Sequence, residues 1–370
     1  MPIKHLVIDA RAALPQVDGL GRYLREVTPR LVSEGLGREL FRSTLLVHAA
    51  LEAFWRDATP AANIIVSHVR PMWPGQNWQI PQQVDPMGAD LFFYPAHDPP
   101  LMLQTPLVFT IHDLSPLQVR PYFERWDWLK AQYLRRVTGS GLRRARAVMA
   151  VSEATKKAIG ELFGADLLSK VSVTPNGISP PAVAAPAASR DHFLYVGTDR
   201  PHKNLLRLIE AYSIARRDEA NLPRLEIVGG MRSEETLKQA MQRFGVQDAV
   251  TLRGHISQDD LEASYARAVA LLFPSLAEGF GLPILEAMIR GVPVLTSNVS
   301  ACAEVAADAA LTVDPLNVNA IAGAIVKLFR DAGLRSDLVE KGKHRSAEYT
   351  WERTAQTTLD VIEQCLKPQS

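Results

Sequence analysis

The chain has 370 residues, 47% hydrophobic and 22% charged, which excludes wholesale disorder and suits about two domains of ~150 residues. Its 41 Lys/Arg against 40 Asp/Glu leave a charge of +1, without the basic excess of a nucleic-acid binder. Two cysteines, Cys302 and Cys365, exclude a disulfide scaffold and suit a reducing compartment.

The N-terminus runs from Met-Pro-Ile-Lys-His straight into Leu6-Val7-Ile8. It lacks a signal peptide's apolar core, and no stretch is long enough to span a bilayer, so a soluble cytoplasmic protein is expected. Leu6-Val7-Ile8 reads as the first of a series of short apolar runs. The others in the first half are Leu45-Leu46-Val47, Ile64-Ile65-Val66, Leu91 to Tyr94, Leu107 to Ile111, Ala147 to Val151 and Val171 to Thr174. Uninterrupted apolar runs suit strands buried on both faces of a parallel sheet. Between them lie helical patterns such as Tyr23-Leu24-Val27-Leu31, and the alternation predicts a doubly wound α/β domain. Six basic residues fall between Lys130 and Arg146: Lys130, Arg135, Arg136, Arg143, Arg144 and Arg146. They read either as a solvated helix face or as a patch for anionic lipid.

Ile178 to Arg190 is rich in Pro, Ala and Ser and reads as a linker. The rhythm then restarts at Phe193 to Val196. It continues through Leu225 to Val228, Val250 to Leu252, Val269 to Phe273, Pro293 to Leu295 and Leu311 to Val313. A second α/β domain is predicted, giving 1–185 and 186–350. The last stretch, Trp351 to Leu366, spaces Trp351, Leu359, Ile362 and Leu366 as a packing helix.

The segment with most chemistry runs Phe273-Pro274-Ser275-Leu276-Ala277-Glu278-Gly279-Phe280-Gly281-Leu282-Pro283-Ile284-Leu285-Glu286. A strand leads into a glycine loop, and Pro283 suits the first turn of a helix. Free N–H groups at such a turn bind phosphate, whereas the two carboxylates suit sugar hydroxyls on either side of it. An ordinary strand-turn-helix with solvated glutamates fits the spacing equally well. Gly19-Leu20-Gly21 is half of a dinucleotide fingerprint, but it sits far past the first strand. The second strand ends at His48 instead of an acidic residue, so an NAD site is a poor reading.

Glu278 and Glu286 in E-x7-E spacing, within Pro-Ser-Leu-Ala-Glu-Gly-Phe-Gly-Leu-Pro-Ile-Leu-Glu-Ala-Met, resemble the signature of the retaining glycosyltransferases of family 4. The likeness runs through Ile8-Asp9-Ala10-Arg11, Gly19 to Tyr23, Thr110-Ile111-His112-Asp113-Leu114, Val151 to Lys156, Pro175-Asn176-Gly177-Ile178, Tyr195 to Thr198, Pro201-His202-Lys203-Asn204, Gly291 to Val294 and Trp351 to Thr354. It covers nearly the whole chain. The resemblance implies the GT-B fold: two Rossmann-like domains facing a central cleft, an N-terminal one for the acceptor and a C-terminal one for the nucleotide sugar. A final helix of about 351–367 would return to the first domain.

By that resemblance Glu278 meets the hexose, Glu286 the ribose, His112 the donor sugar and Lys203 the departing diphosphate. Glu278, His112 and Lys203 are the implied catalytic residues. Gly19 and Gly21 begin the loop that approaches the donor diphosphate or the acceptor. Gly279, Phe280, Gly281 and Leu282 form the phosphate loop, and Gly229 with His255 and Ile256 borders the nucleotide. The family often has an arginine before the lysine. Here Gly197 is followed by Thr198, and Arg200 is the candidate substitute. No D-x-D triplet and no Cys/His cluster occurs in the sequence, so no metal and no cofactor are expected.

The expected activity is retaining transfer of a hexose from a nucleoside-diphosphate sugar, GDP-mannose or a GDP-deoxyhexose. The expected acceptor is a lipid-linked oligosaccharide of surface polysaccharide, reached at the inner face of the membrane. The likeness to bacterial O-antigen mannosyl- and rhamnosyltransferases suggests this choice. The rivals are a GT-B sugar-nucleotide epimerase, a non-catalytic nucleotide-sugar sensor, and a periplasmic two-lobed sugar binder that would need a signal sequence.

Overall fold

The computed structural model describes residues 3–15, 18–119, 128–181 and 189–367. The chain divides into two compact units. The first holds the described residues up to Leu117, those from 128 to Gly177, and those from Thr350 onward. The second holds Ile178–Tyr349 with Gln118 and Val119. The middle of the sequence-predicted linker, and the boundary between 185 and 186, lie outside the described residues.

The first unit is built on seven strands: β1 (Lys4–Asp9), β2 (Phe41–Val47), β3 (Asn63–Val66), β4 (Leu91–Tyr94), β5 (Leu107–Ile111), β6 (Ala147–Ala150) and β7 (Val171–Val173). They pair in parallel in the order β3-β2-β1-β4-β5-β6-β7. β4 and β5 are buried at every position, as expected of strands covered on both faces.

The C-terminal helix Trp351–Leu366 shares a core with the helix Gly19–Gly37 and β1, through Trp351, Leu359, Ile362 and Leu366. Thr350 caps it by accepting the Arg353 N–H at 3.2 Å. The helical spacing of its apolar residues thus matches its buried face.

The second unit has six strands: β8 (His192–Val196), β9 (Arg224–Val228), β10 (Val250–Gly254), β11 (Ala268–Phe273), β12 (Val294–Ser297) and β13 (Leu311–Val313). All pair in parallel in the order β10-β9-β8-β11-β12-β13. Both sheets therefore have the Rossmann arrangement. The strand order reverses between β1 and β4 in one and between β8 and β11 in the other. Ligands in such sheets bind beyond the carboxyl ends of the strands at that reversal.

Candidate active site

In the second unit the reversal point is lined by two connections, Gly197–Asn204 after β8 and Pro274–Gly281 after β11. They are stitched together. The Leu276 N–H donates to the His202 carbonyl at 2.7 Å. The Asn204 side-chain amide donates to the carbonyls of Pro274 at 2.9 Å and Pro315 at 2.7 Å. Asn204 sits at φ +60°, a left-handed conformation that asparagine tolerates better than most residues.

This stitching presents Lys203 to Glu278. Their Nζ and Oε1 lie 2.7 Å apart, and the side chains are only 16% and 9% exposed. The ammonium also lies 4.9 Å from the centre of the Phe273 ring. Lys203 stands just before a helix and not within it. It ends a single 3-10 turn, Pro201–Lys203, and the helix starts at Leu205. The left-handed Asn204 separates the two and turns the lysine toward Glu278. Beside it, burial, and then the charges of Lys203 and Arg200, push the His202 pKa down to about 3. Arg200 itself precedes the 3-10 turn as its cap.

The Glu278 amide lies 3.3 Å from the Ser300 hydroxyl. Nearby Cys302 is fully buried. Burial, with the Glu278 charge second, pushes its thiol up to about 12, so it is neither a thiolate nor a nucleophile near neutral pH.

Glu286 has different surroundings. Gly281, at φ +97°, leads into the helix Leu282–Ile289, with Pro283 in its first turn. Glu286 is buried one turn later, and the Tyr265 hydroxyl donates to its Oε2 at 2.9 Å. The Arg290 guanidinium lies 5.0 Å from the Tyr265 ring centre and donates to Glu262 at 2.6 Å. Gly279 and Phe280 are buried in the loop between the two glutamates.

The ends of β8, β9 and β10 converge on glycines. Gly229 has φ +134°, and a Cβ there would stand 2.0 Å from the Gly197 carbonyl oxygen. Only glycine permits that approach. Its N–H donates to the Gly254 carbonyl at 2.8 Å. The His255 ring covers Gly230 closely enough that a Cβ on Gly230 would lie 2.7 Å from Nε2, while Ile256 is half-buried beyond it. The Thr198 carbonyl accepts from the Tyr195 hydroxyl at 2.8 Å. The Thr198 Oγ1 is buried and makes no hydrogen bond within the fold.

The remaining sequence-predicted residues belong to the first unit. His112 follows β5, and its ring meets Tyr23 edge-on at 4.7 Å. Tyr23 is fully buried in the helix that begins at Gly19, so His112 and the Gly19–Gly21 turn share one support. Burial, with His97 second, pushes the His112 pKa down to about 3. Its Nε2 is buried without a partner. Gly19 is exposed, whereas the Gly21 N–H already donates to the Asp18 carboxylate at 2.7 Å. Asp113 accepts from the Ser115 N–H at 2.7 Å and from its hydroxyl, so it orders the loop behind His112.

The basic residues of the helix Trp128–Arg144 and of Arg146 are exposed, and several grip their own fold. Arg135 donates to the Leu162 carbonyl at 2.9 Å, Arg144 to that of Pro100 at 3.0 Å, and Arg146 to that of Cys365 at 2.7 Å. Among the described residues no group of three or more His, Cys, Asp or Glu could hold a metal ion, and no helix is long and apolar enough to cross a membrane.

Sequence reasoning missed Asn204 and Tyr265. Asn204 had a signal, since it follows the lysine directly in Pro-His-Lys-Asn. Tyr265 lies 21 residues before Glu286, and nothing in the spacing announces it.

Comparison with known proteins agrees with this geometry. The description Glycosyltransferase Family 4 matches residues 17–180, and Glycosyl transferases group 1 matches residues 183–345. The O-antigen chain mannosyltransferase B of Escherichia coli is 31% identical over 267 residues, 69% of each chain. The crystal structure of WaaG, a glycosyltransferase involved in lipopolysaccharide biosynthesis, superposes with a TM-score of 0.72 at 17% identity. It covers 96% of this chain and 99% of that one. The Anabaena protein Alr3699/HepE, crystallised with UDP and glucose, also gives 0.72 at 17% identity, over 98% and 100% of the two chains. The two structures share the GT-B fold with this protein. With both halves matched and a relative aligned over two thirds of its length, the chain belongs to the family 4 glycosyltransferases.

Proposed function

We propose that this glycosyltransferase moves a mannose or related deoxyhexose, with retention of configuration, from a GDP-sugar to a hydroxyl of a lipid-linked oligosaccharide. The carrying observation is the Lys203–Glu278 pair at the β8/β11 reversal point. It supplies a cation for the diphosphate and a carboxylate for the hexose from two adjoining connections. The mannosyl choice is supported by the E. coli O-antigen relative.

The acceptor hydroxyl attacks C1 on the face the diphosphate leaves. The C1–O bond to diphosphate breaks, the C1–O bond to acceptor forms, and the acceptor's proton passes to the diphosphate oxygen. A protein nucleophile is then unnecessary, in contrast to retaining glycosidases with two closely spaced carboxylates. Lys203 and the amides of the Gly279–Leu282 loop stabilise the departing charge without a metal. Neutral His112 offers its unpartnered Nε2 to the sugar, Thr198 its free hydroxyl to the donor, and Glu286 its carboxylate to the ribose. The reaction is placed at the cytoplasmic face of the membrane, where Trp128 and Leu129, exposed beside Lys130, contact anionic lipid.

A thermal-shift panel of UDP-, GDP-, ADP- and dTDP-sugars tests the donor, because a ligand of the native state raises its stability. GDP-mannose should give the largest shift. Proton NMR of the product should show the donor's anomeric configuration, in excess chelator as well as without it. An inverted product, or activity that returns only with added magnesium or manganese, contradicts the mechanism. Binding to anionic vesicles should weaken with salt, and equal binding to neutral vesicles contradicts the membrane contact.

A further inference from the structure

The first unit contains a cavity of about 660 Å³ beyond the carboxyl ends of β2 and β3. Leu14, from the connection after β1, closes its other side. Its size falls within the range of about 300–1,000 Å³ usual for small-molecule pockets. His48 lines it just after β2. Ser67, His68, Arg70, Met72 and Trp73 line it after β3.

Three features show a built site. First, the Trp73 indole is held in place while 52% exposed. It lies over the Gly75 backbone so closely that a Cβ on Gly75 would stand 2.7 Å from its Nε1. Second, Met72 beside it has φ +54°, a left-handed conformation that a side chain of this type rarely adopts and that persists only where the surroundings impose it. Third, the wall is anchored from below. The Val69 carbonyl accepts from Arg11 Nη1 at 2.8 Å, and fully buried Arg11 is itself locked to Asp9 at 2.9 Å.

The lining chemistry is one-sided. The His48 Nδ1 accepts the Ala50 N–H at 3.2 Å, which places the proton of the neutral ring on Nε2. His68 and Arg70 are exposed and add N–H groups, and among the described residues no carboxylate lines the cavity. A flat apolar face surrounded by hydrogen-bond donors complements a pyranose, with its C–H face and its rim of hydroxyl oxygens.

We propose that this pocket holds a pyranose unit of the acceptor saccharide, stacked on Trp73 and hydrogen-bonded by His48 and Arg70, with Gly75 and Arg11 as positioning residues. The proposal rests on the transferase reading above.

The test uses the whole chain and an α-linked mannotriose without donor, read by saturation-transfer NMR on the sugar. Wild type should transfer saturation, strongest at one terminal ring. Trp73→Ala should lose the effect, and Trp73→Phe should keep part of it. Gly75→Ala, which displaces the indole without removing it, should weaken binding several-fold. Stabilisation of each variant by a nucleoside diphosphate reports that it is folded. Mannotriose that fails to bind wild type, or binds Trp73→Ala equally well, overturns the proposal. So does nucleoside-diphosphate binding that depends on Trp73. If nucleotide stabilises wild type but mannotriose does not bind, the pocket assignment fails and the transferase reading stands. If no nucleoside diphosphate stabilises wild type, the transferase reading itself fails.

Discussion

The two units run their first six strands in the same order, and they treat the reversal point of the sheet in opposite ways. In the first unit it is filled. Arg11, with no exposed surface, forks onto Asp9, and the Gln76 amide and Tyr94 hydroxyl both donate to Asp98, at 2.9 Å each. Burial raises the Asp98 pKa, and its hydrogen bonds lie inside the fold. In the second unit the equivalent place is open to chemistry. Lys203 and Glu278 pair at 2.7 Å, little exposed but across two connections, Thr198 keeps an unpartnered hydroxyl, and glycines bring three strand ends together. One topology thus serves as a rigid support in one half and as a binding surface in the other. The side chains at the strand ends decide which.

This contrast can be broken from either side. The largest effect should come from Arg11→Met. Removing one partner of a buried pair leaves Asp9 uncompensated and should cost about 3–5 kcal/mol of stability, seen as early unfolding in urea. Adding Asp9→Asn should restore much of the loss, because the stranded charge is gone. A single variant as stable as wild type would mean that the fork is not a structural support.

On the other side, Lys203→Ala removes the cation beside the Glu278 side chain, which is 9% exposed, and stabilisation by GDP should report that the variant still folds. Turnover should fall by roughly 10²–10³, the effect of removing one well-placed stabiliser of transition-state charge. Steady-state rates at saturating donor measure it. Normal turnover would remove Lys203 from the mechanism.

The smallest effect is on pH. The His202 pKa is about 3 in the fold, against an ordinary 6.5. Between these values the unfolded chain takes up a proton that the folded chain refuses. Stability present above pH 6.5 is therefore lost as the pH falls toward 3. His112 adds a second such proton. Urea unfolding from pH 7 to pH 5 should show a shallower loss for His202→Gln than for wild type. Equal slopes would mean that this histidine is not held neutral.

Much of this was legible in the sequence. The thirteen described strands fall on the apolar runs, and the most uniformly apolar of them, such as β4, β5 and β11, are those buried at every position. The C-terminal helix was legible from its spacing. The E-x7-E spacing found the two glutamates but could not tell them apart. Their difference comes from Lys203, 75 positions before Glu278, and from Tyr265 on another helix. The Arg11 fork and the Trp73 pocket were also illegible. Asp9 and Arg11 are two positions apart, as are Trp73 and Gly75, but nothing in that spacing announces the pairing or the contact of Arg11 with the Val69 carbonyl, 58 positions on.

The central claim is that Glu278 serves the reacting hexose and Glu286 the unreactive nucleotide. Calorimetric binding of GDP-mannose and of GDP, beside initial rates, tests it directly in two conservative variants. Glu286→Gln should weaken both ligands by about an order of magnitude, the scale of a charge-assisted hydrogen bond worth roughly 1.5–3 kcal/mol. Glu278→Gln should bind GDP as wild type does, yet lose turnover well beyond any loss of donor affinity, as an interaction made mainly in the transition state requires. If Glu278→Gln turns over normally, or Glu286→Gln binds GDP like wild type, the assignment of the two carboxylates is wrong.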